Sequence, residues 1–337
     1  MYASMHHNDA LEAARVIAHA VPDGQGGGVN IALLEQQVCA EAGLWEPAAA
    51  RRALDQAHGD TAHAVSMLRV WAATQPHLGA PAIRFEDTVL IRRLSSAFPQ
   101  VPGGQWLGFA PELRARQLDW SERPAPEPAP ASAPQSPADE APRRTEVPRV
   151  RDLIDDVPLV DPPQDGEGDD PADTVLTPPL HRANRLAMLA RGETGALVAL
   201  AALILGRRQE AVLVELSVNL ATVRIPHPRT GVACAVADVP ITDVEVVLDT
   251  HVDGRPGLVM GWGATVGTVE RRAIALALLD AAIQADGELA EPLLLDEQTV
   301  IAATDGPATN GFVEHLRLPH YASFTAYLAQ TVAKERV

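Results

Sequence analysis

Residues Val212–Ile225 read VLVELSVNLATVRI, with Val214, Leu216, Val218 and Leu220 at every second position. A period of two puts alternate side chains on opposite faces of an extended chain, so the stretch predicts a β-strand with one apolar face. HPRTG (227–231) then supplies the residues of a turn, and GVACAVADV (231–239) and ITDVEVVLD (241–249) supply further extended runs. Together they predict a small antiparallel sheet. Downstream, GWGATVGTVERRAIALALLDAAIQA (261–285) reads as a loop spaced by Gly261, Gly263 and Gly267 that feeds a helix starting near Thr268. Two readings of that loop stay open. It is a plain strand-to-helix turn, or a cradle in which unpaired N–H groups and the positive end of the helix dipole meet an anion. The glycine spacing is not the dinucleotide-binding fingerprint.

Outward from the sheet, TPPLHRANRLAMLARGETGALVALAALILGRR (177–208) opens on a proline pair and presents Arg182, Arg185 and Arg191 around an apolar helical stripe. Toward the N-terminus, Asp9–Ala20, Val29–Ala42, Pro47–His58 and Thr61–Ala73 read as short helices separated by Gly, Pro and Gly-Asp breaks. PGGQWLG (102–108) reads as a turn that permits positive φ or the close approach of a ligand. Between these regions, Glu122–Val150 is rich in Pro and Ala, and DLIDDVPLVDPPQDGEGDDPAD (152–173) carries an acidic run. Neither can bury enough apolar surface to offset the entropy of ordering, and both read as linker. The expected architecture is therefore α+β. A mainly helical region spans 1–121, a Pro-rich and acidic linker 122–173, and a small antiparallel sheet packed with helices 174–337.

Composition narrows the chemistry. The 337 residues carry a formal charge of -17, which argues against broad nucleic-acid binding because phosphate contacts need clustered cations. Lys334, near the end of the sequence, is the only lysine, which excludes a P-loop lysine, a pyridoxal Schiff base or a lysine nucleophile in the body of the chain. Anion recognition then falls to Arg, backbone N–H groups or a metal. Cys39 and Cys234 are too few for a disulfide framework or a cysteine-based zinc site. No basic start leads into an apolar signal segment, and the most apolar run, Ala196–Leu205, is about half of the roughly 20 residues that span a bilayer. The expectation is a soluble, cytoplasmic protein.

Near the C-terminus GFVEHLRLPHYASF (311–324) sets His315 and His320 five residues apart around Leu-Arg-Leu-Pro. On a helix that spacing separates the two side chains, and Pro319 opposes a helix in any case. Fully extended, the segment is too long for both imidazoles to reach one metal, so shared ligation requires the bend that Pro319 favours. The pair is a set of ordinary loop histidines or a metal pair; spacing alone leaves both open.

Four stretches in order carry a resemblance. PGGQWLG, the Thr177–Ala201 stretch of form TPPxxRxxRLxxLxRGxxGxLxALA, the Gly261–Ala273 stretch GxGxxxGxxERRA, and GFVEHLRLPHY resemble the I-subunit family of the bacterial carbon-phosphorus lyase system. MYAS at the start and HGDTAHAVSMLR (58–69) fit it as well. The resemblance implies a role in phosphonate catabolism within a complex containing the G, H, J and L subunits. It implies displacement of adenine from ATP, as a nucleosidase alone and, with partners, using an alkylphosphonate as the nucleophile at ribose C1'. The product would be a ribose-1-phosphonate 5-triphosphate. In the family the HLxLPHY histidines help to hold zinc at the contact with the J subunit, which maps the metal onto His315 and His320 with further ligands from the partner.

For that chemistry a carboxylate near C1' stabilises developing positive charge. Glu215, Glu245 and Glu270 lie in matching segments, each with an alternative as an ordinary strand-face or helix-start charge. Arg182, Arg185 and Arg271 are candidate forked donors to the triphosphate, with surface salt bridges as the alternative. Gly261, Gly263 and Gly267 would shape the phosphate loop. The chain departs from the family at MHHND (5–9) and at RRQEAVLVELS (207–217), where Val214 and Ser217 stand in Gly and Arg places. A scaffold that presents the histidine pair to a catalytic partner is the competing reading.

Overall fold

The computed structural model describes residues 31–76, 88–96, 100–101, 105–106, 149–154, 158–160, 180–207, 213–227, 229–285 and 296–305. Helices α1 (Ala32–Ala42), α2 (Pro47–Gln56) and α3 (Thr61–Ala73) come first, within two or three residues of the sequence reading. Their ends follow local chemistry. Gly43 takes the left-handed conformation that closes α1 (φ 71°), Pro47 starts α2, and the Asp60 carboxylate accepts the His63 N–H to cap α3. Val38, Cys39, Ala50, Leu54, Ala64, Val65 and Leu68 form their common core.

The sheet follows the order β1-β5-β6-β7-β4, from β1 (Val89–Ser96), β4 (Leu159–Val160), β5 (Leu213–Pro226), β6 (Ala233–Val252) and β7 (Arg255–Val266). Strands β5, β6 and β7 form an antiparallel meander, β1 adds antiparallel to β5, and β4 runs parallel to β7. A separate pair, β2 (Gln100–Val101) and β3 (Gln105–Trp106), lies within the stretch around PGGQWLG. Helices α4 (Arg182–Leu189), α5 (Thr194–Arg207), α6 (Glu270–Gln284) and α7 (Glu297–Thr304) complete the described elements. The fold is α+β, as the sequence predicts.

Four details differ from the sequence reading. GVACAVADV and ITDVEVVLD are one strand that continues through Pro240, which lies opposite Leu220 and whose carbonyl accepts the Gly267 N–H at 2.6 Å. The run containing Gly261 and Gly263 is strand β7, not a loop, and α6 begins at Glu270. The N-terminal region contributes a strand as well as helices, since β1 is an edge of the main sheet. Residues Val150–Leu153 and Leu159–Val160, inside the stretch read as linker, form a 3-10 turn and β4, the latter paired to Leu258 and Val259. The expected helix at Asp9–Ala20 and the body of the Pro-rich linker lie outside the described residues.

One face of the sheet packs on α5 and α6. Leu216, Val218, Val244, Val246, Leu248 and Val259 meet Leu197, Ala201, Ala273, Leu276, Ala277 and Ala281 in a single core. The glycines of β7 let the helix come close. A Cβ on Gly261 would stand 2.5 Å from the Ala281 nitrogen, and one on Gly263 2.5 Å from the Ala277 nitrogen.

The helical unit is locked to this core by charge. Arg272 of α6 has no exposed surface and donates to the carbonyls of Gly192 (2.6 Å) and Ala190 (2.5 Å) and to Thr194 Oγ1 (2.9 Å). Its Nη1 lies 3.9 Å from Glu41 of α1, whose carboxylate also accepts from the Thr194 N–H and hydroxyl at 3.0 and 2.7 Å. Arg69 of α3 closes the junction, donating to the carbonyls of Glu41 and Arg191 at 2.7 and 2.8 Å. Burial pulls the Arg272 pKa down to about 10 against the opposing pull of Glu41, so it remains charged at neutral pH. Arg272→Met would leave Glu41 buried without its cation and strip two carbonyls of their donor. A loss of about 3–5 kcal/mol is expected in urea unfolding, and a loss below about 1 kcal/mol would show that the junction does not hold the two parts together.

Candidate functional site

The face of the sheet turned away from α6 is polar. Alternation along β5 places Glu215, Ser217 and Asn219 on it, and cross-strand register sets Glu215 opposite Glu245 and Ser217 opposite Asp243 on β6. All five side chains are buried. On the far side of β6 the neighbours of Glu245 and Asp243 are Trp262 and Ala264 of β7, both half-exposed, so the polar face opens toward β7.

Two guanidiniums reach this face from distant parts of the chain. Arg93 of β1 lies 2.5 Å from Glu215. Arg149, just before the 3-10 turn, lies 2.7 Å from Glu245 and 3.3 Å from Asp243. The next residue adds a backbone donor, Val150 N–H to Glu215 at 3.1 Å. Asn219 Nδ2 donates to Asp243 at 2.7 Å. Three carboxylates against two guanidiniums leave one formal negative charge among the residues named, in surroundings where charge interactions are stronger than in water.

The remaining predicted site residues lie elsewhere. Glu270, at the start of α6, pairs with Arg92, and the sheet separates it from Glu215 and Glu245. Arg182 forks onto the buried Asp280 carboxylate (2.6–3.2 Å), which also accepts the Trp262 N–H at 2.9 Å. Arg185 bonds Glu297 at 3.1 Å. Both arginines therefore tie α4 to α6 and α7. Arg271 is exposed and bonds the neutral Gln37 amide at 3.2 Å; among the described residues no carboxylate pairs with it. Gly261 and Gly263 are the contact points of β7 with α6. Gly267, at φ 84°, makes the turn before α6, where the Thr268 N–H and hydroxyl both donate to Gln36 at 2.6 and 2.9 Å. His315 and His320 lie outside the described residues. Among the described residues no three His, Cys, Asp or Glu side chains could hold a metal ion, and no helix is long and apolar enough to cross a membrane.

Sequence reasoning picked out Glu215 and Glu245 but missed Asp243, Asn219, Arg93 and Arg149. The signal for the first two is in the strands: ELSVN and TDVE place polar side chains at every second position of otherwise apolar runs. Nothing local marks the arginines, which arrive through pairing and packing.

The model of the family described as bacterial phosphonate metabolism protein (PhnI) matches residues 9–336. This chain belongs to that family. It is 35% identical over 312 residues to a putative C-P lyase subunit protein, HtxH, of Stutzerimonas stutzeri, covering 88% of this chain and 82% of the relative. It is 32% identical over 344 residues, 94% of each chain, to the alpha-D-ribose 1-methylphosphonate 5-triphosphate synthase subunit PhnI of Escherichia coli. The subunit of the same name from Rhizobium meliloti is 33% identical over 317 residues, 89% of this chain and 82% of that one. Membership gives the chain a part in phosphonate metabolism as one subunit of an assembly with enzymatic output.

Arg149 is the link between the polar face and the segment that carries β4. Arg149→Ala removes the cation shared by Asp243 and Glu245 and loosens the Val150 contact to Glu215. Hydrogen exchange at the Val150 amide should accelerate by at least tenfold, with a stability loss of about 2–3 kcal/mol, below the range for a fully buried pair because Arg149 is partly exposed. Unchanged exchange at Val150 would show that the segment is held by other contacts.

Proposed function

We propose that this chain is the subunit that opens the bond between adenine and ribose C1' of ATP, and that the polar sheet face is where it does so. The observation that carries the reading is the direct pairing of Glu215 and Glu245 across β5 and β6, on a face where the described residues named carry one more carboxylate than guanidinium. The relatives' names supply the product class, a ribose 1-methylphosphonate 5-triphosphate.

In the displacement the C1'–N9 bond breaks and its electron pair leaves with adenine, which takes up a proton. Positive charge develops at C1' and the ring oxygen. A carboxylate close to that carbon lowers the energy of this charge, and the excess of carboxylates over guanidiniums supplies it. An alkylphosphonate oxygen closes the new C1'–O bond in the synthase reaction. In the nucleosidase reaction water does so, giving its proton to a carboxylate. Arg93 and Arg149 set the positions of Glu215 and Glu245. Arg271, without a carboxylate partner among the described residues, lies on α6 behind the sheet and does not share the face on which the ribose is proposed to bind, so the triphosphate is not assigned to it. His315 and His320 are proposed to hold zinc with ligands from the J subunit, where the metal would act as a structural or Lewis-acid centre; no step of the displacement passes through it. The G, H and L subunits are the other proposed partners, in the cytoplasm.

Release of adenine from ATP by the purified chain, and by the assembled complex with methylphosphonate, tests the reading. Glu215→Gln and Glu245→Gln keep the shape and remove the charge, and the variant that loses the carboxylate facing C1' should slow release by about 10²–10³-fold. Undiminished release by the folded double variant would move the chemistry off this face. Absence of release from the wild-type chain and the complex alike would favour the scaffold reading.

A further inference from the structure

Among the side chains of the polar face that the proposed displacement does not use is Asn219. Asn219 is wholly buried. Its Nδ2 donates to Asp243 at 2.7 Å, with a long contact to the Ser217 carbonyl at 3.5 Å, and its Oδ1 has no hydrogen-bond donor among the described residues. A buried acceptor without a donor is costly, so such a group calls for an explanation. An apolar residue of similar size would avoid that cost at this position.

The surroundings define what would complete it. Asp243, Glu215 and Glu245 contribute carboxylate oxygens, which accept hydrogen bonds; among the described residues the donors on this face include Arg93, Arg149, the Val150 N–H, the Ser217 hydroxyl and the Asn219 amide itself. An amide oxygen beside a carboxylate is a surface for hydroxyl donors. It does not suit a phosphate, which the Asp243 carboxylate would repel and whose oxygens the Asn219 Oδ1 acceptor cannot serve. Next to Asp243 on the β7 side stands Ala264, small and half-exposed, whereas Asp243 and Asn219 are themselves covered, so a ligand reaches them only when the side chains over this face move aside.

We infer that Asp243 and Asn219 form the subsite for the ribose hydroxyls of the nucleotide. The inference rests on the proposed function and extends it to specificity. The Asp243 carboxylate accepts one hydroxyl, Asn219 Oδ1 accepts the other, and the bond from Nδ2 to Asp243 fixes which way the amide points. The neighbouring carboxylates of Glu215 and Glu245 lie one register step along the strands, two residues from Ser217 and Asp243. That is the separation of one same-face neighbour, so a ribose held by its hydroxyls would present C1' toward the carboxylate pair.

Equilibrium binding of ATP, 2'-deoxy-ATP and 3'-deoxy-ATP to the full chain and to the assembled complex tests this without requiring turnover. Wild type should bind ATP at least tenfold more tightly than one or both deoxynucleotides, the size expected when a buried acceptor loses its donor. Asn219→Ala and the isosteric Asp243→Asn should each shrink that preference several-fold, while affinity for the deoxynucleotide lacking the corresponding hydroxyl changes little. Equal binding of all three nucleotides by wild type, absence of nucleotide binding, or an equal loss for all three in folded variants would overturn the inference. Hydroxyl discrimination in a protein that releases no adenine would keep the subsite and discard the displacement chemistry.

Discussion

A single guanidinium without exposed surface, Arg272, holds the two halves of this fold in one arrangement. It sits on the helix that lines one side of the sheet, and its partners come from the turn between α4 and α5 and from the helical N-terminal unit. Removing an arginine from water is expensive, and the acceptors around its two Nη atoms offset that cost, while its Nε has no acceptor among the described residues. The geometry is therefore narrow: Glu41 must lie where it meets both Thr194 and Arg272, and Arg69 must reach the carbonyls of Glu41 and Arg191. Once α1 is fixed there, Gln36 reaches the Thr268 N–H at the turn into α6, and Trp45 packs on Ala221, Val239 and Ile241 at the end of the polar sheet face.

The sheet divides labour between its faces. Toward α6 the side chains are aliphatic, and the glycines of β7 admit the helix at short range. Away from α6 the same strands carry carboxylates and an amide, met by Arg93 of β1 and by Arg149 from just before the 3-10 turn. Because α6 anchors the strands from behind, the register that sets Glu215 against Glu245 is fixed by a core that contributes nothing to the chemistry. A one-residue slip would turn the carboxylates into that core, at a cost that makes the alternative register inaccessible.

Much of this was legible in the sequence, and the parts that were not have definite physical reasons. Strand β5 announces itself because one face is aliphatic and the other polar, and helices α1 to α3 are marked by Gly43, Pro47 and Asp60 at their ends. Strand β7 does not, since Gly261 and Gly263 on one face and Met260 and Trp262 on the other give no alternation of apolar with polar, and glycine spacing imitates a loop. Strand β1 is hidden by an irregularity between Leu90 and Arg92 that breaks its period. Within the site, Glu215 and Glu245 could be named because they lie in segments that resemble the family. Asp243 and Asn219 become neighbours only through register, and Arg149 arrives from a proline-rich stretch 94 residues from Asp243, a relation no local pattern encodes. Arg182 and Arg185 show the reverse case: an arginine-lined helix reads as an anion site until Asp280 and Glu297 are placed beside it.

Ribose chemistry is proposed for the face of the sheet turned away from α6. A structure of the assembled complex with a bound ATP analogue whose glycosidic bond resists cleavage addresses it most directly. The account predicts C1' about 3–3.5 Å from a carboxylate oxygen of Glu215 or Glu245, the reach of a near-attack geometry. A ribose bound on the helix side of the sheet, or held entirely by a partner subunit with no contact to β5 and β6, would contradict it.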